Sequence, residues 1–533
     1  MIKKIVLFLV IISFIFACKK ENDRPQWQVN VVAPLFYATL GINNLIADSF
    51  ISADSDHVLH LVYNQNLNDN LFNLDSLFSI PDTTILTVLT MPFLSYVLQP
   101  NTPFYSTNKN ISLNISGVEL RKATIKSGFL QIEARNRLET RVIYSYTMPG
   151  TTLNNVPFQF STTMDAAPPG GFASSINSFD MTGYKVDMTG VSGNNVNTIS
   201  YNVTARSDTG VGSINVYLGD TMVNIRAGFL DLVPYYAKGY LGQTEIIQDS
   251  MSSDTDIIDF LHSGMIRLEK ATMKITVKNN IGVDAQAFFT QIQSINSTIN
   301  SVVTMNAPSI INHAMNINRA SENGNSSYPV NPTTTLVQFD NSNSNLRSLI
   351  ENLPDRLTYG LRLKVNPFGN ISGSNDFVYS DYLINANIDI DIPLSFAADQ
   401  LALLDTTLFE IVDKEDFDPV GSGTFTLVAD NGFPFDASMK LVLLNEHFQI
   451  LDSIVLPVPI AAAAVDSNFK VTSSKKTLIP IHVDEALKNK ILATKYISIK
   501  ASFTTPSFPQ YYRIYSGYRL VVKLVADATY QIR

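Results

Sequence analysis

Histidine and aspartate stand close together near the start of the chain, where they could hold a metal ion. Asp54, Asp56, His57 and His60 all carry side chains that bind metals. On a strand, however, residues 57 and 60 point to opposite faces, so a shared ion would require a bulge or a loop. We therefore predict a polar approach to a hairpin here, and no metal site.

Two acidic clusters have the composition of extracellular calcium sites, which combine carboxylates with carbonyl oxygens. Neither cluster follows the Asp-x-Asp-x-Asp-Gly spacing of a calcium loop, so solvated loops are the favoured interpretation and weak calcium binding stays open. The clusters are Asp254, Asp256 and Asp259, and Asp413, Glu415, Asp416 and Asp418.

The sequence offers little for catalysis. It contains no Gly-x-Ser-x-Gly elbow, no His-Glu-x-x-His helix and no glycine-rich phosphate loop, and its other histidines are isolated. The two carboxylates of a glycoside hydrolase meet in space and not in sequence, so a surface-anchored hydrolase remains a less favoured alternative. We predict a non-enzymatic protein with no catalytic residue, metal or cofactor.

Clustered tyrosines could bind a ligand, because exposed aromatic rings stack on sugar rings. One pair is Tyr235 and Tyr236. Packing across strands inside a sandwich is the commoner use of such residues, so glycan binding is an alternative and not the main interpretation. The larger cluster, near the C-terminus, consists of Tyr511, Tyr512, Tyr515 and Tyr518.

The elements that position these residues are predicted to be strands. Apolar and polar residues alternate with period two from Ile199 to Ala205 and from Ile384 to Ile392, as in strands with one buried face. Short helices are predicted only around 346–353 and 484–492, with Asp484 as an N-cap. The pattern predicts an all-β fold of tandem immunoglobulin-like antiparallel β-sandwich domains with a few short helices.

An internal repeat divides the chain. Leu120 to Thr124 resembles Leu268 to Thr272, each leading into a strand that ends at asparagine, and a looser third copy begins at Phe425. The markers Asn136, Asn280 and Asn431 are 144 residues (136 to 280) and 151 residues (280 to 431) apart. We interpret each copy as a hairpin whose asparagine tolerates a left-handed turn.

The repeat unit resembles the second-type late-embryogenesis-abundant (water-stress) domain. That resemblance implies a small sandwich of immunoglobulin-like shape and leaves function open. We expect an N-terminal β region at 27–115 and sandwich repeats at 116–262, 263–405 and 406–533.

The N-terminus has the pattern of a secretory signal. Lys3 and Lys4 precede an apolar run that ends at Ala17-Cys18, and Cys18 is the single cysteine of the chain. This junction resembles the lipobox of bacterial lipoproteins, which implies a signal peptide at 1–17, acylation of Cys18 and a tether at 18–26. The segments after it resemble those of uncharacterised Bacteroidota outer-membrane lipoproteins.

Composition and charge limit the partners. The chain has 533 residues, of which 45% are hydrophobic and 16% charged, so it is long enough for several buried cores and is not a disordered chain. Loss of residues 1–17 leaves 36 basic and 47 acidic residues, a net charge near −11 that disfavours nucleic acid.

Together these features predict a lipid-anchored outer-membrane lipoprotein that faces the cell surface. We expect it to act through contacts with other outer-membrane proteins, for instance as an accessory subunit of an assembly, secretion or uptake complex. The alternatives are a surface glycan-binding lipoprotein, with stacking by Tyr511, Tyr512, Tyr515 and Tyr518, and a surface-anchored hydrolase.

Overall fold

The structure, a computed structural model, describes residues 27–42, 48–66, 80–91, 94–254, 263–325, 327–409 and 423–532. For residues 27–36, 48, 263, 402–405, 423–424 and 526–532 it describes the backbone alone. The fold is 62% strand and 4% helix, so the predicted all-β class with sandwich-like antiparallel sheets is confirmed. Cys18, the predicted signal peptide and the tether lie outside the described residues.

The described strands are numbered in chain order. The first half consists of β1 (Trp27–Gly41), β2 (Ile51–Ala53), β3 (Leu59–Asn66), β4 (Thr83–Thr90), β5 (Ser95–Leu98), β6 (Pro103–Ser112), β7 (Glu119–Asn136), β8 (Val142–Leu153), β9 (Val156–Met164), β10 (Ala173–Asp180), β11 (Lys185–Asp187), β12 (Thr198–Ser207), β13 (Ile214–Tyr217), β14 (Thr221–Tyr240), β15 (Thr244–Asp254), β16 (Ser263–Leu268), β17 (Thr272–Asn279) and β18 (Ala285–Asn296).

The second half consists of β19 (Ser301–Thr304), β20 (Met315–Ile317), β21 (Ser321–Glu322), β22 (Val330–Asn331), β23 (Thr333–Asp340), β24 (Arg356–Val365), β25 (Asp376–Tyr379), β26 (Ile384–Pro393), β27 (Ser395–Leu408), β28 (Gly423–Asn431), β29 (Asp436–Leu444), β30 (Ile450–Val455), β31 (Ala464–Val465), β32 (Val471–Ser473), β33 (Lys475–Val483), β34 (Tyr496–Thr504), β35 (Tyr512–Arg513) and β36 (Arg519–Ile532). The helices are α1 (Leu346–Glu351) and α2 (Glu485–Leu492), and a 3-10 turn spans Asp48–Phe50.

The chain divides into two compact units. The central unit comprises residues 63–254 and 272–390, and the terminal unit comprises 1–62, 255–271 and 391–533. These units cut the chain differently from the predicted sandwich repeats, whose boundaries stay a prediction.

The central unit is built on a ten-stranded sheet. Its path is β25-β14-β7-β11-β8-β12-β6, with β10 on β7, β4 on β14 and β9 on β8. A second sheet has the order β15-β24-β18-β19, with β20 on β18. Their buried faces share one apolar core, which includes Leu120, Ile132, Tyr146 and Val365. The predicted alternation is visible in β12, where Ile199 to Ala205 place every second side chain in this core.

The terminal unit contains two larger sheets. One has the order β1-β36-β28-β33, and the other has β16-β27-β34-β29-β30 with β35 on β27. Phe435 lies within ring contact of Phe396, Phe503 and Tyr512 in its core. In α2 the predicted N-cap is confirmed, since the side chain of Asp484 accepts a hydrogen bond from the backbone N–H of Leu487.

Three asparagines of the repeat tie their connections together with buried side chains. The Oδ1 atom of Asn136 accepts from the N–H of Leu138, and its Nδ2 donates to the carbonyls of Thr140 and Asp165. Asn279 repeats this pattern: its Oδ1 accepts from the N–H two residues later, and its Nδ2 donates to the carbonyls four and 39 residues later. Asn431 does so with bonds two, four and 30 residues on. All three side chains are fully buried.

The predicted hairpin is therefore wrong. The strands joined at the second and third copies belong to different sheets, and β7 and β8 are separated by β11, so each connection is an arch. The second marker is Asn279 and not Asn280, which gives spacings of 143 (136 to 279) and 152 (279 to 431). None of the three asparagines has a left-handed backbone. An amide suits this position, because its oxygen accepts one hydrogen bond while its NH2 group donates to two carbonyls at once.

Candidate functional site

A groove crosses five neighbouring strands of the central unit, in the order β25, β14, β7, β11 and β8. The pairing registers set Tyr379, Tyr236, Thr124, Lys185 and Thr152 side by side in one row. All five residues line a cavity of about 570 Å³. Four strand spacings of about 4.8 Å make the row roughly 19 Å long. We call this cavity the tyrosine groove.

Tyr235 also lines the tyrosine groove, although simple alternation would point it away from Tyr236. The register between β14 and β7 shifts between Pro234 and Tyr236, which leaves Tyr235 as an extra residue. A bulge of this kind re-aims a side chain and disrupts the ladder locally. The ring of Tyr379 then lies 5.8 Å from that of Tyr235 and 4.6 Å from that of Tyr236, centroid to centroid. The three rings form one aromatic wall.

Glu322 holds this wall in place through hydrogen bonds. The hydroxyl of Tyr236 donates to Oε1 of Glu322 at 2.7 Å, and Nζ of Lys238 donates to Oε2 at 2.5 Å. Burial raises the pKa of Glu322, but the hydrogen bonds from Lys238 and Tyr236 outweigh it and leave that pKa below its ordinary value. Burial and then the negative Glu322 raise the pKa of Tyr379 to about 12, and burial also raises that of Tyr236. Both phenols are therefore protonated at neutral pH.

Two lysines and one aspartate line the other side of the tyrosine groove. Lys122 of β7 lies opposite Asp187 of β11, and Lys185 precedes Asp187 by two residues. The Oδ1 atom of Asp187 accepts from the backbone N–H and the hydroxyl of Thr189, at 2.9 and 2.6 Å. Among the residues that the structure describes, the side chains of Lys122 and Lys185 have no hydrogen-bond or ion-pair partner. Both exposed ammonium groups are available to a ligand.

The short hairpin of β21 and β22 forms a further wall. It stands on a small apolar cluster in which Phe377 packs with Ala320 and Val330. The hydroxyl of Tyr328, in its connecting loop, donates to Oδ1 of Asn280 at 2.8 Å and so ties the loop to the end of β17. The hairpin residues that line the tyrosine groove are Gly324, Asn325 and Pro329.

The tyrosines predicted to stack on glycans do not form one exposed platform. Tyr512 is 4% exposed and packs against phenylalanines of the terminal core, so its ring is closed to a sugar. The hydroxyl of Tyr518 accepts a backbone hydrogen bond, and its ring lies against Tyr515. Tyr511 and Tyr515 are half-buried, and glycan stacking by these two stays a prediction.

The other candidate residues are also spread out. His60 lies between two carboxylates, with Nδ1 at 2.6 Å from Asp391 and Nε2 at 3.5 Å from Asp54, while His57 sits in the preceding turn with a left-handed backbone. Within the described residues no group of three or more His, Cys, Asp or Glu side chains is arranged to hold a metal. Asp254 ends β15, and the other six members of the two acidic clusters lie outside the described residues.

Sequence reasoning found the Tyr235–Tyr236 pair but missed its neighbours. Tyr379 is more than 140 positions away, and Lys122 is more than 110 positions away in the other direction. Strand pairing alone brings them together. The signal that was available is the second tyrosine pair, Tyr379 and Tyr382, which flanks a polar turn.

Comparisons with known proteins identify no family. No protein-family model and no curated protein matches the chain. One similar structure is a protein from Parabacteroides distasonis that is provisionally described as secreted, with 16% identity over 55% of this chain and 87% of that chain and a TM-score of 0.31. Another is that of infectious bursal disease virus, with 9% identity over 85% and 80% of the two chains and a TM-score of 0.12. At these TM-scores neither carries an argument.

No helix in the described ranges has both the length and the apolar character needed to cross a membrane.

Proposed function

We propose that this protein is a non-enzymatic, lipid-anchored glycan-binding protein of the outer membrane that faces the cell surface. The observation that supports the proposal best is the tyrosine groove, in which Tyr235, Tyr236 and Tyr379 form one wall of an elongated cavity. The proposal therefore favours glycan binding over the protein contacts that the sequence favoured.

The chemistry of the groove suits a saccharide chain. A sugar ring has an apolar C–H face, which stacks on an aromatic ring, and hydroxyl groups around its edge, which need hydrogen-bond partners. The groove supplies the rings of its tyrosines and, along the same row, the hydroxyls of Thr124 and Thr152. Its volume of about 570 Å³ lies within the range of ordinary ligand sites. A row roughly 19 Å long accommodates several linked sugars side by side.

Binding to a panel of soluble polysaccharides, measured by affinity electrophoresis, tests the proposal. We expect one or more polysaccharides to retard the protein. Tyr235→Ala should weaken the affinity about tenfold, because truncation of a tyrosine that anchors a ligand costs about 1.4 kcal/mol or more. Tyr217→Ala is the matched control, since Tyr217 is 55% exposed on β13 of the same unit but lies outside the groove. Retardation by no polysaccharide, or equal loss in both variants, would overturn the proposal.

The anchor belongs to the same proposal and has its own test. It is supported by the resemblance of Ala17-Cys18 to a lipobox, and several acyl chains on one cysteine hold a protein firmly on a membrane. Replacement of Cys18 by Ala should move the protein from the membrane fraction to the soluble fraction. A variant that stays membrane-bound would contradict the lipid anchor.

A second candidate function is contact with other outer-membrane proteins, as an accessory subunit of an assembly, secretion or uptake complex. The observation that favours it is the outer face of β4, β14, β7 and β10. The registers place Leu86, Arg226, Glu133 and Ile176 in one row across these strands. Leu86 is 57% exposed and Ile176 is 64% exposed, and they flank the ion pair of Arg226 with Glu133. Arginine is enriched in protein interfaces.

Crosslinking in intact cells, followed by mass spectrometry, tests this second function. A specific partner should be crosslinked to the native protein and lost from the double variant Leu86→Asp, Ile176→Asp. Recovery of the same partner from the variant, or of no partner from the native protein, would contradict a docking role for this face.

A further inference from the structure

We infer that the tyrosine groove selects anionic saccharides, with a sugar ring stacked on the tyrosine wall and its carboxylate or sulfate held by Lys122 and Lys185. The inference rests on the proposed glycan-binding function and names the class of glycan.

The balance of charge inside the groove supports this inference. Other lysines nearby are neutralised in place, because Lys238 is paired with Glu322 and Lys126 with Asp381. The charged residues that line the groove are therefore the two unpaired lysines, Lys122 and Lys185, and one carboxylate, that of Asp187. One oxygen of that carboxylate is already engaged by Thr189.

This local excess of positive charge stands out against the chain as a whole, which carries a formal charge of −9. A negatively charged protein repels anionic polymers in general. Two unpaired ammonium groups beside an aromatic wall therefore mark the place where an anionic group is attracted. Ammonium groups form charge-assisted hydrogen bonds to carboxylate and sulfate oxygens, which are stronger than neutral ones.

The spacing of the row supports the same ligand. Tyr236 and Lys185 are two strands apart, with Thr124 between them, so their backbones are separated by about 10 Å. A flexible lysine side chain reaching back over Thr124 meets an acidic substituent on a sugar that is stacked on the tyrosines. Lys122 lies in the adjacent row on the same strand as Thr124 and approaches the same space.

Matched pairs of polysaccharides separate charge from stacking. We would measure affinity for polygalacturonate and its carboxyl-reduced form, and for dextran sulfate and dextran, at low and at physiological salt. The variants are Lys122→Gln, Lys185→Gln, their combination, and Lys109→Gln. Lys109 is the control, because it is an exposed lysine of β6 outside the groove and its replacement changes the net charge equally.

The expected result is tighter binding of an acidic form than of its neutral partner. Each groove lysine variant should weaken binding of the acidic form about threefold, and the double variant about tenfold, which is the strength of exposed ion pairs. The loss of affinity should become smaller as the salt concentration rises, because salt screens the charges. Carboxylate and sulfate are distinguished by which pair shows the larger difference. Lys109→Gln should change little.

Three results would overturn the inference. If the neutral forms bind as tightly as the acidic ones and Tyr235→Ala abolishes both, the groove binds glycans without selecting charge, and the proposed function survives. If the acidic forms bind better but Lys109→Gln weakens them as much as the groove variants do, the attraction is diffuse. If none of the four polymers binds although a polysaccharide of the wider panel does, the inference alone falls, whereas no binding across the whole panel removes the proposed function as well.

Discussion

Replacement of the buried asparagine Asn136 tests why the arch folds. Alanine at this position deletes four hydrogen bonds, one accepted from the N–H of Leu138 and three donated to carbonyl oxygens. The carbonyl of Leu138 keeps a second partner in the N–H of Ala167, so it is not orphaned. The variant therefore leaves two buried backbone groups unpaired, the N–H of Leu138 and the carbonyl of Thr140, together with the part-buried carbonyl of Asp165.

The magnitude follows from this count. Each buried orphaned group costs about 1–1.5 kcal/mol after partial relaxation, and the part-buried carbonyl of Asp165 costs less, so Asn136→Ala should lower the free energy of unfolding by about 2–4 kcal/mol. That is a large part of the 5–15 kcal/mol typical of a domain. Asn215→Ala is the control, because Asn215 is exposed on β13 of the same unit. Urea unfolding followed by circular dichroism gives both values.

Aspartate at the same position adds a dependence on pH. As a carboxylate, Asn136→Asp still accepts from the N–H of Leu138 but faces the three carbonyl oxygens of Leu138, Thr140 and Asp165, so its pKa is raised in the folded state. Stability relative to the native protein should then be greatest below about pH 4 and should fall as the pH rises through the raised pKa. A loss from Asn136→Ala no larger than that from Asn215→Ala, or an aspartate variant without this pH dependence, would refute the account of the arch.

Three further predictions concern single side chains. The hydroxyl of Tyr146 is buried without a partner, so Tyr146→Phe should stabilise the fold slightly. Tyr201→Phe deletes a buried hydrogen bond to Thr87 and should cost about 1 kcal/mol. Thermal melting compares the two variants, and equal effects would contradict the prediction. Arg319→Met leaves the fully buried carboxylate of Asp376 without its ion pair and should lower the free energy of unfolding by about 3–5 kcal/mol. Urea unfolding measures this value, and a change below 1 kcal/mol would contradict the prediction. Hydrogen bonds from the hydroxyl of Ser342 and the side-chain amide of Gln338 lower the pKa of Asp340 to about 2. Its contribution to stability should therefore be complete above about pH 4 and lost as the pH falls through 2, and a carboxyl titration by NMR with a midpoint near 4 would refute this.

The strands were predictable where one face is buried and the other is exposed to solvent. Ile199 to Ala205 alternate in sequence and in burial because a single strand decides both. The cap at Asp484 was predictable for the same reason, since its bond spans only three residues. Local patterns therefore determined the fold class and the positions of the helices.

The repeat was visible, but its physical meaning was not. The paired asparagines Asn279 and Asn280 are equivalent in sequence, and only the structure shows that Asn279 closes the arch while Asn280 bonds the hydroxyl of Tyr328. A hairpin and an arch have the same local composition. They differ in which sheet the next strand joins, and that depends on distant partners.

The tyrosine groove lay beyond the reach of local patterns. A bulge turns Tyr235 to the same side as Tyr236, and a bulge is set by the register with β7 and not by the tyrosines themselves. The C-terminal cluster shows the reverse case, because Tyr512 is clustered in sequence but buried in the terminal core. Exposure of an aromatic residue depends on what packs over it.

Hydroxyl-radical footprinting with a bound oligosaccharide tests the central claim most directly. The protein is labelled with and without an oligogalacturonide, and modification of each tyrosine is read by mass spectrometry. The account predicts protection of Tyr235 in the tyrosine groove, with Tyr217 unchanged. Equal labelling of Tyr235 in both samples, or protection confined to Tyr511 and Tyr515 of the terminal unit, would contradict it.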